Sequence, residues 1–363
     1  MISLYNIFIF LFNCGIRIAA LWNDKAKEWL EGRRNLWVDL ENNLPKQKQI
    51  VWFHVASAGE FEQGKPLMEA IKKTYPTYSL VISFFSPSGY KVAKKSSVAD
   101  YIFYLPLDTK NNAERLLQLM QPQIVVFVKY DIWYHHLQAI KKANVSMLLI
   151  SAVFRPHQLY FRWYGGFYKR MLPSFSQIFV QDVLSLTLLA EKGINNAMVS
   201  GDTRIDRVIR VKDDFTAIPH IKEFIGASTV LVAGSTWVED EELLKSLADV
   251  IPGIKLILAP HEIDATHLKT IRERFSGSLF YSEVKEGKTL PASAHVLVID
   301  NVGMLSRLYY YATIAFIGGG FSKDGIHNSL EAAVFGKPLI WGPNYSKYRE
   351  AVDLVEAGAG TSV

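Results

Sequence analysis

Three stretches of the 363-residue chain hold residues whose types and spacing could do chemistry. In "AFIGGGFSKDGIHNSLEAAVFGKPLIWGP" a run of glycines, Gly319 and Gly320 among them, ends an apolar segment, and a polar loop enters a helix at Asn328, with Glu331 one turn on. A glycine-rich approach to free helix N–H groups is an anion site, and a carboxylate within a turn of it suits sugar hydroxyls. The same two residues also read in full as a capping box. In "VLVAGSTWVEDEELL" Gly234 permits a tight turn, Ser235 and Thr236 can cap the next helix or hold a phosphate, and Glu239 to Glu242 complement the helix dipole. "WFHVASAGEFEQGKPL" passes from a buried strand through small residues to Gly59 and Glu60 at the expected start of a helix. The dipole favours a carboxylate there and predicts a lowered pKa for Glu60.

Several chemistries are disfavoured by the same residues. "GGGFSKDG" follows a late strand, whereas the dinucleotide fingerprint belongs after a first strand with an acidic residue about 20 positions on. No D-x-D pair ends a strand and no histidines cluster at ligand spacing, so neither a metal nor a cofactor is indicated. A single cysteine, Cys14, leaves no internal disulfide framework or thiolate zinc site and points to a reducing compartment. Forty Lys and Arg against 35 Asp and Glu give a net charge of +5, which tolerates anionic partners and is also ordinary for this length.

The elements that must position these residues are legible as a pattern. Apolar runs at 50–55, 78–85, 101–107, 123–130 and 145–152 alternate with helical periodicity, as repeated βα units around a parallel sheet require. A second set begins at 229–235 and continues at 254–260, 294–300, 312–320 and 337–343. Between them the charged segment 211–228 is read as a linker, giving domains at 23–210 and 229–363 with ligands at the carboxyl ends of their strands, in the cleft between them. Residues 1–22, "MISLYNIFIFLFNCGIRIAALW", read as a membrane anchor followed by Lys25, Lys27, Arg33 and Arg34, which places the rest of the chain on the cytoplasmic side. An amphipathic helix packed on the first domain is the alternative.

"HVASAGEF", "SFFSPSGY", "GDTRIDRV", "AGSTWVEDEELL", "DNVGML" and "GGGFSKDGIHNSLEAAVFGKPLIWGP", in this order, resemble the Kdo (3-deoxy-D-manno-octulosonic acid) transferase family of lipopolysaccharide assembly. The resemblance covers essentially the whole chain. It implies an inverting glycosyltransferase of the GT-B fold: α/β, two Rossmann-like doubly wound domains facing a cleft, with an N-terminal anchoring helix. The implied donor is CMP-Kdo, the implied acceptor the tetraacylated lipid A precursor, and the implied location the cytoplasmic face of the inner membrane.

On this resemblance Glu60 takes the general-base position, drawing the proton from a poorly acidic sugar hydroxyl. Arg204 stands where many relatives have Lys and would neutralise the leaving phosphate. "VKYDIWY" departs from the family pattern of two glutamates before Trp: Lys129 replaces the first and Asp131 matches the second, so Asp131 is expected to stabilise the transition state or to cap a helix starting at Trp133. CMP contacts map to Pro260 and His261, to Val302, Gly303 and Met304, and to Asn328, Ser329, Leu330 and Glu331, with Met304 standing where relatives have Glu. The basic and aromatic stretch 154–172 fits an anionic membrane surface better than single-stranded nucleic acid, and ordinary packing explains it as well. The chain ends at "EAGAGTSV", before the closing helices of the family, and is expected to be C-terminally short. Another GT-B enzyme using a UDP-sugar, or an inactive membrane-associated nucleotide-sugar-binding protein, are the competing readings.

Overall fold

The structure, a computed structural model, describes residues 1–45, 49–291 and 293–363. It divides into two compact units, Met1–Arg204 and Ile205–Val363.

In the first unit α1 (Ile2–Ala19), α2 (Asp24–Glu31) and α3 (Leu36–Asn43) precede β1 (Ile50–Val55). There follow α4 (Ala58–Thr74), β2 (Ser79–Phe84), α5 (Pro87–Ala93), β3 (Tyr101–Tyr104), α6 (Lys110–Met120), β4 (Ile124–Val128), α7 (Tyr134–Lys142) and β5 (Ser146–Ala152). Then come α8 (Gly166–Lys169), β6 (Gln177–Val180), α9 (Val183–Glu191), β7 (Ala197–Val199) and α10 (Thr203–Asp213), in which the division between the units falls. All strand pairs are parallel, in the order β3-β2-β1-β4-β5-β6-β7. β1 and β2 are buried along their whole length, which is why they read as continuous apolar runs. Successive side chains enter opposite cores: Trp52 packs with Phe127 and Leu149 on one face, Phe53 with Ile82 and Val126 on the other. The strand order reverses between β1 and β4, so the crevice above their carboxyl ends is where a doubly wound sheet binds ligands. Glu60 follows β1 and Asp131 follows β4.

α1 has one packed and one exposed side. Along one side it packs on the first unit: Tyr5 and Ile9 are buried, Tyr5 Oη donates to Asp108 Oδ2 at 2.6 Å, Asn6 Oδ1 lies 2.6 Å from His135 Nε2, and Phe12 meets Trp29 and Phe85. Its other side exposes Leu4, Ile7, Phe8, Phe10 and Leu11. Among the described residues it is the one helix long and apolar enough to cross a membrane.

In the second unit α11 (Ile221–Ile225) leads to β8 (Val230–Thr236), α12 (Val238–Val250), β9 (Lys255–Pro260), α13 (Ala265–Arg274), β10 (Leu279–Phe280), α14 (Tyr281–Lys285) and β11 (Val296–Val298). α15 (Leu305–Leu308), β12 (Ile314–Ile317), α16 (Leu330–Ala333), β13 (Leu339–Trp341), α17 (Arg349–Glu356) and β14 (Gly360–Ser362) complete it. The sheet is parallel, in the order β10-β11-β9-β8-β12-β13-β14, and its order reverses between β8 and β12. Ser235 and Thr236 end β8, and the glycine run follows β12. Both domains are thus of the expected doubly wound class. The short strands β7, β10 and β14, two or three residues each, lie at sheet edges and are too brief for a pattern to show in sequence.

Candidate active site

Above β1 and β4 four polar side chains form one chain of hydrogen bonds. Trp52 Nε1 donates to Ser83 Oγ at 2.8 Å, Ser83 Oγ lies 2.9 Å from His54 Nδ1, and His54 Nε2 lies 2.9 Å from Asp131 Oδ2. The Asp131 carboxylate can only accept, so His54 Nε2 carries a proton and donates to it, while Ser83 Oγ accepts from Trp52 and has both His54 Nδ1 and Phe53 O within reach of its own proton. Trp133 Nε1 donates to the same Asp131 oxygen at 3.1 Å and stacks on Phe85 with ring centroids 4.9 Å apart. Asp131 is therefore held from two sides, and it is not a helix cap. α7 begins at Tyr134, whose N–H donates to Tyr5 Oη at 3.3 Å, and the next two N–H groups, from His135 and His136, donate to Asp108, each at 2.9 Å.

Glu60 lies in the first turn of α4, where its Oε2 accepts from Ala56 N at 2.5 Å. Its pKa is raised, not lowered as the helix dipole predicts. Burial is the main cause, the bond to Ala56 opposes it, and the negative charge of Asp131 adds to the rise. His54 and Lys129 pull the other way, acting on Glu60 as opposing charges. Lys129, with φ +64°, and Ser151, with φ +52°, sit in the left-handed region at or just beyond the ends of neighbouring strands β4 and β5. Such backbone costs energy and collects at functional sites. Ser151 Oγ meets Thr203 Oγ1 at 3.0 Å, and Thr203 Oγ1 donates to Gln63 O at 2.6 Å, tying the start of α10 to α4. One residue on, Arg204 forks onto Asp202 Oδ2 through Nε at 2.8 Å and Nη2 at 2.6 Å.

In the second unit the expected caps are replaced by a different arrangement. Gly234 lies within β8, where its need is for space: a Cβ would stand 2.0 Å from Tyr309 Oη. Ser235 carries the turn instead, at φ +55°, and Thr236 Oγ1 is buried on Glu241 Oε1 at 3.2 Å. Asp240, not Ser235 or Thr236, caps α12, its Oδ2 accepting from Trp237 N and from Gly319 N, both at 2.8 Å. One carboxylate thereby joins the loops after β8 and β12, and burial raises its pKa. Glu241 is buried as well, bound by Arg274 at 2.9 Å and His267 at 3.0 Å.

Beside that join, His261, which follows Pro260 at the end of β9, stacks on Trp237 at 4.7 Å and on His327 at 4.3 Å. Trp237 Nε1 donates to His327 Nε2 at 3.0 Å. Burial, with a contribution from His261, pushes the His327 pKa down to about 4. The helix expected at Asn328 is a single turn, α16, starting at Leu330. Asn328 Oδ1 accepts from Leu330 N at 3.1 Å, and its Nδ2 donates to Glu331 Oε1 at 3.2 Å; the residue at the N-cap of α16 is Ser329, with no side-chain cap bond, so Asn328 and Glu331 do not form a capping box there. Ser329 is buried, and its Oγ has no partner among the described residues. Elsewhere in this unit Val302 is exposed, Gly303 takes φ +93°, and Met304 is buried, receiving Asn301 Nδ2 on its sulfur at 2.8 Å.

Residues 31–207 match the family described as 3-deoxy-D-manno-octulosonic-acid transferase (kdotransferase). The chain is 28% identical over 311 residues to the 3-deoxy-D-manno-octulosonic acid transferase of Rickettsia felis. The segment 31–207 is similar to the Kdo transferase family. That alignment covers 83% of this chain and 65% of the Rickettsia felis protein, so the match spans about two thirds of the relative's length. The Aquifex aeolicus Kdo transferase is 25% identical over 335 residues, covering 89% of this chain and 84% of its own. In fold the chain is similar to the UDP-GlcNAc 2-epimerases of Neisseria meningitidis, with TM-score 0.55, 17% identity and 85% of each chain covered, and of Methanocaldococcus jannaschii, with TM-score 0.54, 16% identity and coverage of 87% and 89%. These likenesses show the fold alone.

Within the matched segment, the sequence offered Glu60 and Asp131 as candidates and passed over His54 and Trp133, which hold Asp131, and Ser83, which meets His54. A signal for His54 was present: a lone ionisable residue inside the buried run "IVWFHV" needs a partner.

Proposed function

We propose that this chain is a Kdo transferase, an inverting glycosyltransferase that moves Kdo from CMP-Kdo to the lipid A precursor in lipopolysaccharide core assembly. The observation that carries the reading is Glu60, a buried carboxylate with raised proton affinity, beside a second carboxylate fixed by His54 and Trp133. An acceptor hydroxyl attacks the anomeric carbon of Kdo as the bond to the CMP phosphate breaks. Its proton passes to Glu60, whose raised pKa makes it a stronger base than an exposed carboxylate. The Asp131 carboxylate supports positive charge developing on the sugar. CMP leaves as an anion, with Arg204 compensating the charge on its phosphate once the guanidinium is shared with Asp202. On the donor side Pro260, His261, Val302, Gly303, Met304, Asn328, Ser329, Leu330 and Glu331 take CMP, with Ser235, Thr236, Gly319 and Gly320 lining the phosphate end.

The acceptor is a lipid, and the exposed apolar side of α1 supports a location at a membrane, which we assign to the cytoplasmic face of the inner membrane. Because α1 is packed on the first unit through Tyr5, Asn6 and Phe12, it lies in the interface and does not span it. Trp163 and Tyr164, in the basic stretch 154–172, are exposed and suit the same headgroup layer.

Titration calorimetry with CMP and UDP tests the donor assignment. CMP binding with UDP much weaker supports it. Preferential UDP binding replaces it with a UDP-sugar enzyme.

A further inference from the structure

His327 lies next to the proposed nucleotide residues Asn328–Glu331 but was in none of the expected contacts. Its ring is fixed on three sides. The Trp237 indole N–H donates to His327 Nε2 at 3.0 Å, with the two ring planes inclined by 17°. His261 covers one face of the ring at 4.3 Å. Gly319 packs on the Cδ2–Nε2 edge so closely that a Cβ there would lie 3.0 Å from Cδ2 and 3.3 Å from Nε2. The backbone is fixed too, His327 N donating to Gly318 O at 3.1 Å.

An indole N–H can only donate, so Nε2 must be the unprotonated nitrogen and the proton of the neutral ring must be on Nδ1. Nδ1 lies across the ring from the edge packed by Gly319, and among the described residues no acceptor meets it. The site therefore holds a directed donor whose partner is not in the fold, at the edge of a glycine run that packs on the backbone of Ser235, Gly325 and Gly342.

We propose that His327 binds the donor as a neutral Nδ1–H hydrogen-bond donor to a phosphate oxygen of the nucleotide, with Trp237 serving as the residue that fixes its tautomer. The inference rests on the nucleotide-sugar reading above. A neutral donor fits a leaving phosphate. It hydrogen-bonds the anion without forming a tight ion pair that would hold the product, much as a neutral imidazole serves as an electrophile in other enzymes. Charge compensation stays with the guanidinium.

The test has a part that needs no ligand. Long-range 15N–1H NMR of the full chain should show His327 with Nδ1 protonated and Nε2 bare, and Trp237→Phe, which keeps the aromatic stack but removes the indole N–H, should admit the other tautomer. A wild-type ring protonated on Nε2 overturns the proposal.

The second part is calorimetry with CMP and with cytidine, which lacks the phosphate. His327→Ala should weaken CMP by roughly tenfold and leave cytidine unchanged, as loss of one hydrogen bond to a charged group predicts. His327→Asn, which places an amide N–H near the Nδ1 position, should recover part of the loss and guards against misfolding of the alanine variant. Unchanged CMP affinity in both variants, or equal losses for CMP and cytidine, overturns the phosphate contact while the nucleotide reading stands. A wild-type chain that binds neither compound removes both.

Discussion

Glu60→Gln distinguishes a general base from a favourable helix start, because the two roles predict different responses of rate and stability. Glutamine keeps the shape and an oxygen that can accept from Ala56 N, so the first turn of α4 retains its tie, but it cannot take a proton. Loss of the base should lower turnover by roughly 10²-fold or more, about 2.7 kcal/mol or more in the barrier. Stability should change far less. A charge-assisted bond becomes a neutral one, costing about 1 kcal/mol, while an ionised carboxylate is removed from a site only 8% exposed, which offsets that loss. The sign of the pH dependence follows from the raised pKa. The folded chain binds the Glu60 proton more tightly than the unfolded chain, so wild-type stability declines as pH rises from the unfolded value through the folded one. Relative to wild type, the variant should therefore be more stable at about pH 7 than at about pH 4, with Tm shifts of a few degrees at most. The same shift should place the acidic limb of kcat/KM above the ordinary carboxylate range, since the base works ionised. Mass spectrometry of the lipid product and thermal unfolding by circular dichroism read the two quantities. Near-normal turnover would take Glu60 out of the mechanism, and a rate loss matched by unfolding would reduce it to a helix start.

Glu331→Gln should keep the amide contact to Asn328 yet lose a charged partner for the nucleotide, weakening CMP by about 1.5–3 kcal/mol in calorimetry, and an unchanged affinity would leave Glu331 a purely local role. Arg204→Ala should reduce kcat, by about 3 kcal/mol in the barrier, with little change in CMP affinity, because its proposed partner is charge that grows on the leaving phosphate. A drop in affinity with kcat intact would place Arg204 in ground-state binding. Gly234→Ala forces a methyl to within 2.0 Å of Tyr309 Oη and should lower stability by about 1–3 kcal/mol in urea, whereas a neutral outcome would mean that Tyr309 moves aside freely.

The doubly wound sheets were legible because β1, β2 and β4 are buried on both faces and so appear as unbroken apolar runs. Placing Glu60 and Asp131 near strand ends needed no more than that. What the sequence hid is whatever depends on strand order. His54 and Asp131 are 77 residues apart, and they meet because β1 and β4 are neighbours at the reversal of the sheet. The direction of the Glu60 shift was misread for a related reason: the dipole of α4 is local and visible in sequence, while the burial that outweighs it is tertiary. Ser235, Thr236 and Asn328 carried strong capping chemistry, yet Asp240 caps α12 because a second loop, at Gly319, needs the same carboxylate.

Product mass tests the central claim most directly. The chain is incubated to completion with CMP-Kdo and the tetraacylated lipid A precursor, in parallel with UDP-sugars, and the lipid fraction is weighed by mass spectrometry. The account predicts a lipid heavier by one or more Kdo residues with CMP-Kdo, release of CMP in equal number, and no adduct with UDP-sugars. Transfer from a UDP-sugar, or CMP-Kdo bound and returned intact by a folded chain with the lipid unchanged, would contradict it.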